Sequence, residues 1–557
     1  MSRSRAVPIS GWIRHYERPW LARDLVAGLT VWGLLVPEGM AYAGLAGLPP
    51  QAGLYTILVS LLAYAVLGTS RHLIVVATSA TAALVGSSIA ALRPADAAEY
   101  AADAAALVLI VGVLFLLAGV AKLGFVAQFL SRPVTEGFVF GLAIFVAVGQ
   151  LNKLFGVSKG SGNTFRKLGR VIVNLDDTNW WSFAAGAVAL AALFGLPRLS
   201  RRLPSGLVVL AGAIALSGAL RLADRHDVEV VGTLPKGLPS VALHGVGLST
   251  MWTLIPAAAG IVLVAYSEAL GVAQSFATRH GYEIDPNEEL IAFGTANLAS
   301  GLLGGLVACG GMSATAVNDG ARAKTQMSGI VAAVAALITV MALTPLFKNL
   351  PEAVLGALVI HAVSHMMSAA KLKAVYRVAP VEFWLGVTAL VGVVALDVLQ
   401  GLLIAMAASL LLVIYRSSKA TVTVLGELPG RPGAFGAVDR NPGATVLDGI
   451  LLLRLDAPLY YANAAANLAA FKAAVTSAQP PVHDVVFNPE VQHGLDVTSV
   501  EMISALFHWL RERDIDIWVT HAHADLWAEA DRLGMIELIG ADHVVADIPE
   551  VLDRLGR

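Results

Sequence analysis

Between about Leu25 and Tyr415 the chain is a succession of apolar blocks, each roughly 15 to 25 residues long, parted by short polar breaks. A helix needs roughly 20 apolar residues to cross a bilayer. Each block therefore predicts a spanning helix. The apolar centres Leu107–Val120, Phe138–Gly149, Phe183–Leu196 and Ile330–Leu343 are the clearest, and Leu385–Ile414 is long enough for two spans joined by a turn near Asp397–Gly401. The pattern predicts about 12 to 14 spans.

The period changes after Lys419. Residues 421–445, rich in Gly and Pro, read as a linker. From 446 to 557 the pattern is that of a soluble α/β domain. Ile450–Leu455, Val485–Phe487 and Asp514–Thr520 are predicted strands, and Ala462–Ser477, Ser499–Arg513 and Ala524–Leu533 predicted helices.

Composition agrees with a membrane chain: 57% of residues are hydrophobic and only 14% charged, against roughly 25% charged in soluble domains. A net charge of −2 argues against a nucleic-acid partner. The single cysteine, Cys309, excludes an internal disulfide or a cysteine zinc site. Met1–Glu17 is basic and lacks the apolar run of a cleaved signal peptide. Basic residues also set the orientation. Arg3, Arg5, Arg14, Arg18 and Arg23 precede the first span; Arg198, Arg201 and Arg202 share one loop, Lys371, Lys373 and Arg377 another; Arg416 and Lys419 follow the last span. The net acidic segment Arg93–Asp103 is expected outside. These signs place the N-terminus in the cytoplasm and, for an even number of spans, the C-terminus too, with the chain in the inner (plasma) membrane.

A repeat locates the candidate site. Glu38 stands in an apolar stretch, VPEGMAY, and the tetrapeptide SATA begins 41 residues later at Ser79. Glu268 stands in AYSEAL, and a second SATA begins 45 residues later at Ser313. Two halves of seven spans each would insert with opposite topology, as in secondary transporters whose broken helices meet near the midplane. Ser and Thr favour helix starts, and the glycine pair before Met312 permits unwound backbone. A half-helix beginning at each SATA would aim free N–H groups and a positive dipole end at one point. That makes an anion site with no cationic side chain. The competing reading is that these small residues only permit close helix packing. An ionised acid near the bilayer centre costs about 2.5 kcal/mol or more, so Glu268 is expected to take a proton or to pair with a cation. Glu38, next to Pro37, either joins the site or satisfies backbone groups freed by the proline.

Longer segments carry a family resemblance. Asp24–Tyr55 (DLVAGLTVWGLLVPEGMAYAGLAGLPPQAGLY) and Tyr282–Gly329 resemble the SulP anion transporters, bacterial relatives of solute carrier family 26. LRLDAPLYYANA at Leu453–Ala464 and LDVTSVEMI at Leu495–Ile503 resemble their STAS domain. The resemblance implies a polytopic α-helical protein of fourteen spans in a 7+7 inverted repeat, with core and gate domains as in uracil transporters. It implies a cytosolic segment 1–19, a transport domain 20–420 (repeats about 20–225 and 250–416), and a STAS domain 446–557. Carried onto this chain, the anion-binding positions are Glu38, Tyr42, Thr78, Ser79, Ala80, Gly311, Met312, Ser313, Ala314 and Thr315. Glu268 matches the coupling acid, and a homodimer is implied. Three departures stand out: many members have Gln at Glu38, Gly-Pro at Val76-Ala77 and arginine at Ala314. Loss of that cation weakens the case for a divalent substrate and throws more weight on the backbone dipoles.

The expected function is secondary active transport of a small inorganic or carboxylate anion by alternating access. Sulfate leads, with bicarbonate or a dicarboxylate as alternatives, and coupling through Glu268 favours protons over sodium. The alternative is a passive or uncoupled channel or exchanger for chloride or bicarbonate. No catalytic residue, cofactor or metal is expected. The run His521-Ala522-His523-Ala524-Asp525 resembles part of a metallo-hydrolase ligand motif, but its place between a strand and a helix reads as a surface turn. Thr498 and Ser499, near the start of a helix, are either regulatory phosphorylation positions or part of a helix cap. Glu136, Gln150, Asn152 and Lys153 are candidates for gate contacts or ordinary interfacial residues.

Overall fold

The computed structural model describes residues 12, 16–125, 132–158, 163–199, 205–234, 237, 247–396 and 398–556. Of the residues used to orient the chain, Arg3, Arg5, Arg14, Arg201 and Arg202 lie outside them, as does most of the expected segment 1–19. The chain divides into two compact units, Met1–Ser409 and Leu410–Arg557.

The first half of the membrane part comprises α1 (Arg18–Leu45), α2 (Gln51–Leu67), strand β1 (Val75–Ala77), α3 (Ser79–Leu92), α4 (Ala97–Val120), α5 (Arg132–Phe155), α6 (Thr164–Val173), α7 (Trp180–Leu199) and α8 (Ser205–Leu220). The second half comprises α9 (Leu248–His280), α10 (Pro286–Leu302), strand β2 (Ala308–Gly310), α11 (Met312–Gly320), α12 (Met327–Ile338), α13 (Glu352–Ser364), α14 (Ala369–Val378), α15 (Pro380–Ala395) and α16 (Val398–Ser417). Eight helices among the described residues are long and apolar enough to cross a membrane, and four apolar helices are shorter: α2, α3, α8 and α15. The block Leu385–Ile414 does contain two helices, broken at Leu396, while Asp397 lies outside the described residues. The acidic segment Arg93–Asp103 is helical from Ala97, where Asp96 caps α4 by accepting from the N–H groups of Ala98 and Glu99. Past Ile338 the clear block Ile330–Leu343 loosens into a π turn, and Pro345 sits in the following 3-10 turn, where no α-helical N–H is required of it.

Packing sorts these helices into two groups that each draw on both halves of the chain. In one, α10 lies along α4 and α2, α12 along α1 and α2, and α9 along α4. In the other, α15 and α13 lie along α5, and α13 along α7. Small residues allow the closest approaches. A Cβ on Gly53 would come within 1.9 Å of the Gly39 carbonyl oxygen, and one on Gly137 within 1.9 Å of that of Gly386. With lipid on the outside, such van der Waals fit is the main force between helices.

The second unit holds a six-stranded sheet in the order β4-β3-β5-β6-β7-β8, formed by β3 (Val422–Glu427), β4 (Phe435–Ala437), β5 (Ile450–Leu455), β6 (Asp484–Asn488), β7 (Asp516–Thr520) and β8 (Val544–Val545). Strands β5 to β8 are parallel, and β3 is antiparallel to both neighbours. Helices α17 (Ala464–Ser477), α18 (Val497–Arg511), α19 (Ala524–Arg532), α20 (Met535–Ile539) and α21 (Ile548–Arg554) accompany it. The expected linker 421–445 is corrected here: it is part of the domain. Its Gly and Pro residues build the β3–β4 hairpin, where Gly430 and Gly433 take φ of +72° and +77°. Leu425 of β3 is buried against Ile450 and Leu452 of β5 and Val486 of β6. The domain therefore begins by Val422 rather than at 446.

Candidate anion site

The site starts from two strands of three residues each. β1 and β2 pair antiparallel, Val75 with Gly310, Val76 with Cys309 and Ala77 with Ala308, and all six residues are buried. Unpaired backbone in a bilayer interior costs several kcal/mol per group, so two unwound segments must satisfy each other. The Gly311 N–H donates to the Ile74 carbonyl. By the alternation of antiparallel ladders, Val76 and Cys309 exchange bonds, and Ala308 turns its N–H and C=O outward. Side chains meet these outer groups. Asn297 of α10 donates to the Ala308 C=O at 2.8 Å and accepts from its N–H at 2.9 Å. The Ser60 hydroxyl of α2 donates to the Val75 C=O at 2.7 Å.

Each strand runs into a half-helix, and because the strands are antiparallel, α3 and α11 leave in opposite directions. Thr78 caps α3 through a capping box with Thr81, which leaves the N–H groups of Ser79 and Ala80 without an intrahelical partner. Gly311 precedes α11 with no side-chain cap, so the N–H groups of Met312, Ser313 and Ala314 remain. The two starts are close, since a Cβ on Gly311 would lie 3.8 Å from the Thr78 methyl. Each helix start carries roughly half a positive charge. The pair can hold an anion through backbone donors alone.

The threonines of the two SATA repeats do equivalent structural work. The Thr81 hydroxyl donates to the Val307 C=O at 3.1 Å, just before β2. The Thr315 hydroxyl accepts from the Ile74 N–H at 3.1 Å, just before β1. Both are fully buried. Thr315, expected to line the anion, is thus turned to the strand. Ala80 and Ala314 are buried as well, and of the two serines Ser79 is buried, its hydroxyl 3.1 Å from the Met366 sulfur, whereas Ser313 and Met312 are exposed.

Glu268, in the second half of α9, lies near the Thr78 cap across the Cys309 sulfur. Its Oε2 is 4.0 Å from the Cys309 thiol, and the Thr78 hydroxyl is 3.5 Å from the same sulfur. Tyr42 of α1 is buried within electrostatic reach of Glu38, Glu268 and Cys309. The structure therefore gathers Glu38, Tyr42, Thr78, Ser79, Gly311 and Glu268 around one point, together with Cys309, to which sequence reasoning gave no role.

Two buried acids were also missed. Asp24 accepts from the Lys324 N–H at 2.6 Å and the Thr325 hydroxyl at 2.7 Å, fixing the turn before α12. Glu289 accepts from the Tyr64 hydroxyl at 2.8 Å and from the Thr69 N–H and hydroxyl at 2.8 and 2.6 Å, fixing the turn before β1. Both stand next to apolar runs in the sequence, the same signal that drew attention to Glu268. Lys153 pairs with Glu352 at 3.0 Å and Glu136 with Lys371 at 3.2 Å, linking α5 to α13 and α14. A cleft of about 1810 Å³ opens between the two helix groups, with Gly44, Ser87 and Arg93 on one wall and Lys153, Arg166 and Glu352 on the other.

In the second unit, His523 Nε2 meets the Glu490 carbonyl at 2.7 Å, and His521, at φ +55°, stands in the turn after β7. Among the described residues the HAHAD run gathers no metal-ligand set. His72, His280 and Asp319 do come together in the membrane part. There the His72 and His280 rings stack 4.1 Å apart and 17° from parallel, so an ion in the plane of one ring lies off the plane of the other. Asp496 caps α18 by accepting from the Ser499 N–H at 2.7 Å. Burial opposes the charge of Asp496, but bonds from Ser499 and from the Tyr461 and Thr498 N–H groups hold its carboxyl below the usual range. Ser499 is fully buried and Thr498 exposed.

Comparison with known proteins bears on this geometry. The family model described as "Sulfate permease family" matches residues 21–389. A probable sulfate transporter of Mycobacterium tuberculosis is 33% identical over 98% of this chain and 97% of its own. Sulfate transporter 4.1, chloroplastic, of Arabidopsis thaliana is 30% identical over 96% and 80%. The structure of the murine solute carrier 26 family member A9 anion transporter, in the inward-facing state, superposes with a TM-score of 0.92 at 23% identity, covering 100% of this chain and 96% of that one. The transmembrane domain of a cyanobacterium bicarbonate transporter gives 0.62 at 22% identity, covering 71% and 98%. These two share the fold. From the matched family model and the full-length relatives, this chain belongs to the sulfate permease family and is a multi-pass membrane protein rather than an enzyme.

Proposed function

We propose that this protein carries a small anion, sulfate first among the candidates, across the plasma membrane by alternating access, in symport with protons taken by Glu268. One observation carries the reading: two half-helices leave opposite ends of a buried two-stranded ladder, and the Thr78 cap of one reaches a carboxylate, that of Glu268, through the Cys309 sulfur. The helix starts bind the anion through Ser79, Ala80 and Met312–Ala314, with Glu38 and Tyr42 closing the side. A second negative charge beside the anion is costly in low dielectric, so protonation of Glu268 favours anion entry and anion entry favours protonation. The helix group holding both starts moves against the other across the cleft. With α10 and α11, the eight long and four shorter apolar helices supply fourteen spans. Both termini are then cytoplasmic, the α/β unit is a STAS domain, and the protein is a homodimer. Exposed Thr498 is the accessible candidate for phosphorylation, although a phosphate there would meet the Asp496 carboxylate.

The buried methyl of Ala314 favours a second reading, since α11 itself, Met312–Gly320, carries no cationic side chain. A monovalent anion such as bicarbonate or chloride, moving uncoupled, fits that feature. Uptake of radiolabelled sulfate, bicarbonate, chloride and a dicarboxylate into proteoliposomes, with and without an imposed pH gradient, separates the two. Symport requires accumulation that follows the gradient and is lost in Glu268→Gln with the fold retained. Gradient-independent flux in the unaltered protein overturns it.

A further inference from the structure

Thr78 has one hydroxyl proton and more than one claim on it. As the cap of α3 its oxygen accepts from the Thr81 N–H at 3.4 Å, which leaves the O–H free to donate. One acceptor is the Cys309 sulfur, and another is whatever anion sits at the start of α3, of which Thr78 is the first residue outward. The Cys309 sulfur lies between, 3.5 Å from the Thr78 oxygen and 4.0 Å from the Glu268 oxygen. Thr78 is 8% exposed and Cys309 1%, so bulk water does not stand in for either partner.

We propose that the Thr78 hydroxyl, linked to Glu268 through the Cys309 thiol, is the positioning group that adds to charge repulsion in making anion binding depend on the protonation of Glu268; this rests on the transport reading above. With Glu268 ionised, the Cys309 S–H donates to the carboxylate and the Thr78 O–H donates to the sulfur, so the helix start lacks a side-chain donor. When a proton from the aqueous phase binds a Glu268 oxygen, the new carboxyl O–H donates to the Cys309 sulfur. The Thr78 O–H is then released and rotates toward the anion. Only the proton on Glu268 is gained, and no other covalent bond changes.

The other groups packed around Glu268 leave this role to Thr78 and Cys309. Helix α1 presents Glu38 and Tyr42. Helix α3 has no ionisable side chain, and α4 has Glu99, Tyr100 and Asp103 only in its first two turns. On α10, Glu289 is held by Tyr64 and Thr69, and on α11, Asp319 is paired with Arg279 and His280.

The test is the KM for radiolabelled sulfate in proteoliposomes of the full chain, at acidic and at neutral pH. The unaltered protein and Thr78→Ser should both show a KM that rises roughly tenfold from acid to neutral pH, the scale of one hydrogen bond to a charged group. Thr78→Val, which keeps the volume and loses the hydroxyl, should keep only the part of the response due to charge repulsion, a KM change of about threefold. Cys309→Ala should lose the same part of the response, and Cys309→Ser should restore it. The inference is overturned if Thr78→Val keeps the full pH response, or if Thr78→Ser loses it. Should Thr78→Val fail to reach the membrane, a full response in Cys309→Ala overturns it. Absence of sulfate uptake, or of any pH effect, in the unaltered chain overturns the transport reading itself and this inference with it.

Discussion

Replacing Asn297 with leucine should destabilise the membrane unit through two backbone groups alone. Leucine has the same number of side-chain heavy atoms as asparagine, with the same branching, but neither donates nor accepts. The Ala308 N–H and C=O, which point away from β1, then lose the partners now at 2.9 and 2.8 Å. Both Asn297 and Ala308 are fully buried, so water cannot replace the amide. An orphaned buried group costs about 1–3 kcal/mol. Two of them give roughly 2–6 kcal/mol, against which burial of an apolar side chain returns about 1 kcal/mol. A net loss of about 1–5 kcal/mol is therefore expected. The measurement is equilibrium unfolding in mixed micelles, followed by tryptophan fluorescence, for the wild type, Asn297→Leu and Asn297→Asp. Aspartate keeps the acceptor for the N–H but sets a carboxylate oxygen against the Ala308 carbonyl, so it should be at least as harmful as leucine. Because β2 runs straight into α11, anion binding should weaken in parallel. An Asn297→Leu protein within about 0.5 kcal/mol of wild type would refute the claim that side chains complete this two-stranded ladder.

Adding a methyl at Gly53 forces α1 and α2 apart beside Glu38, because its Cβ would sit 1.9 Å from a backbone oxygen; Gly53→Ala should lower thermal stability and slow uptake, while Gly212→Ala, with open space around it, should do neither. Thr315→Val should reduce stability by about 1 kcal/mol or more, whereas Thr315→Ser, which keeps the hydroxyl facing the Ile74 N–H, should not; equal stability of the two in thermal unfolding would remove the tie. In the α/β unit, burial opposes the charge of Asp456, but the Thr423 hydroxyl at 2.7 Å and Arg454 hold its carboxyl below the ordinary value. A depressed pKa gives stability that is present above the unfolded value, near 3.8, and lost as pH falls through the folded one. Hydrogen exchange of β3 and β5 in the full chain should therefore quicken in that acid range, and Asp456→Asn should remove this part of the response.

The apolar blocks are long enough to predict spanning helices from the sequence alone, because a bilayer demands length and composition before anything else. The same logic flagged Glu268 and the two SATA repeats, since charge and broken helices inside an apolar run must be compensated. The strands of the α/β unit were legible from their period, but 421–445 was not, because Gly and Pro mark a hairpin and a linker alike. Only the fold could show that β3 is a strand of the sheet. Tertiary structure likewise decided the division of labour within the repeats. Ser79, Ser313, Thr81 and Thr315 are of one chemical kind in one dimension, yet the antiparallel pairing of β1 and β2 turns the threonine hydroxyls to the opposite strand and leaves open N–H groups at the helix starts. Cys309, Asn297 and Met366 acquire meaning only from neighbours 231, 11 and 287 residues away. Hydropathy and period are properties of a segment and can be read along the chain. Satisfaction of a buried polar group is a property of the partner that the fold brings to it.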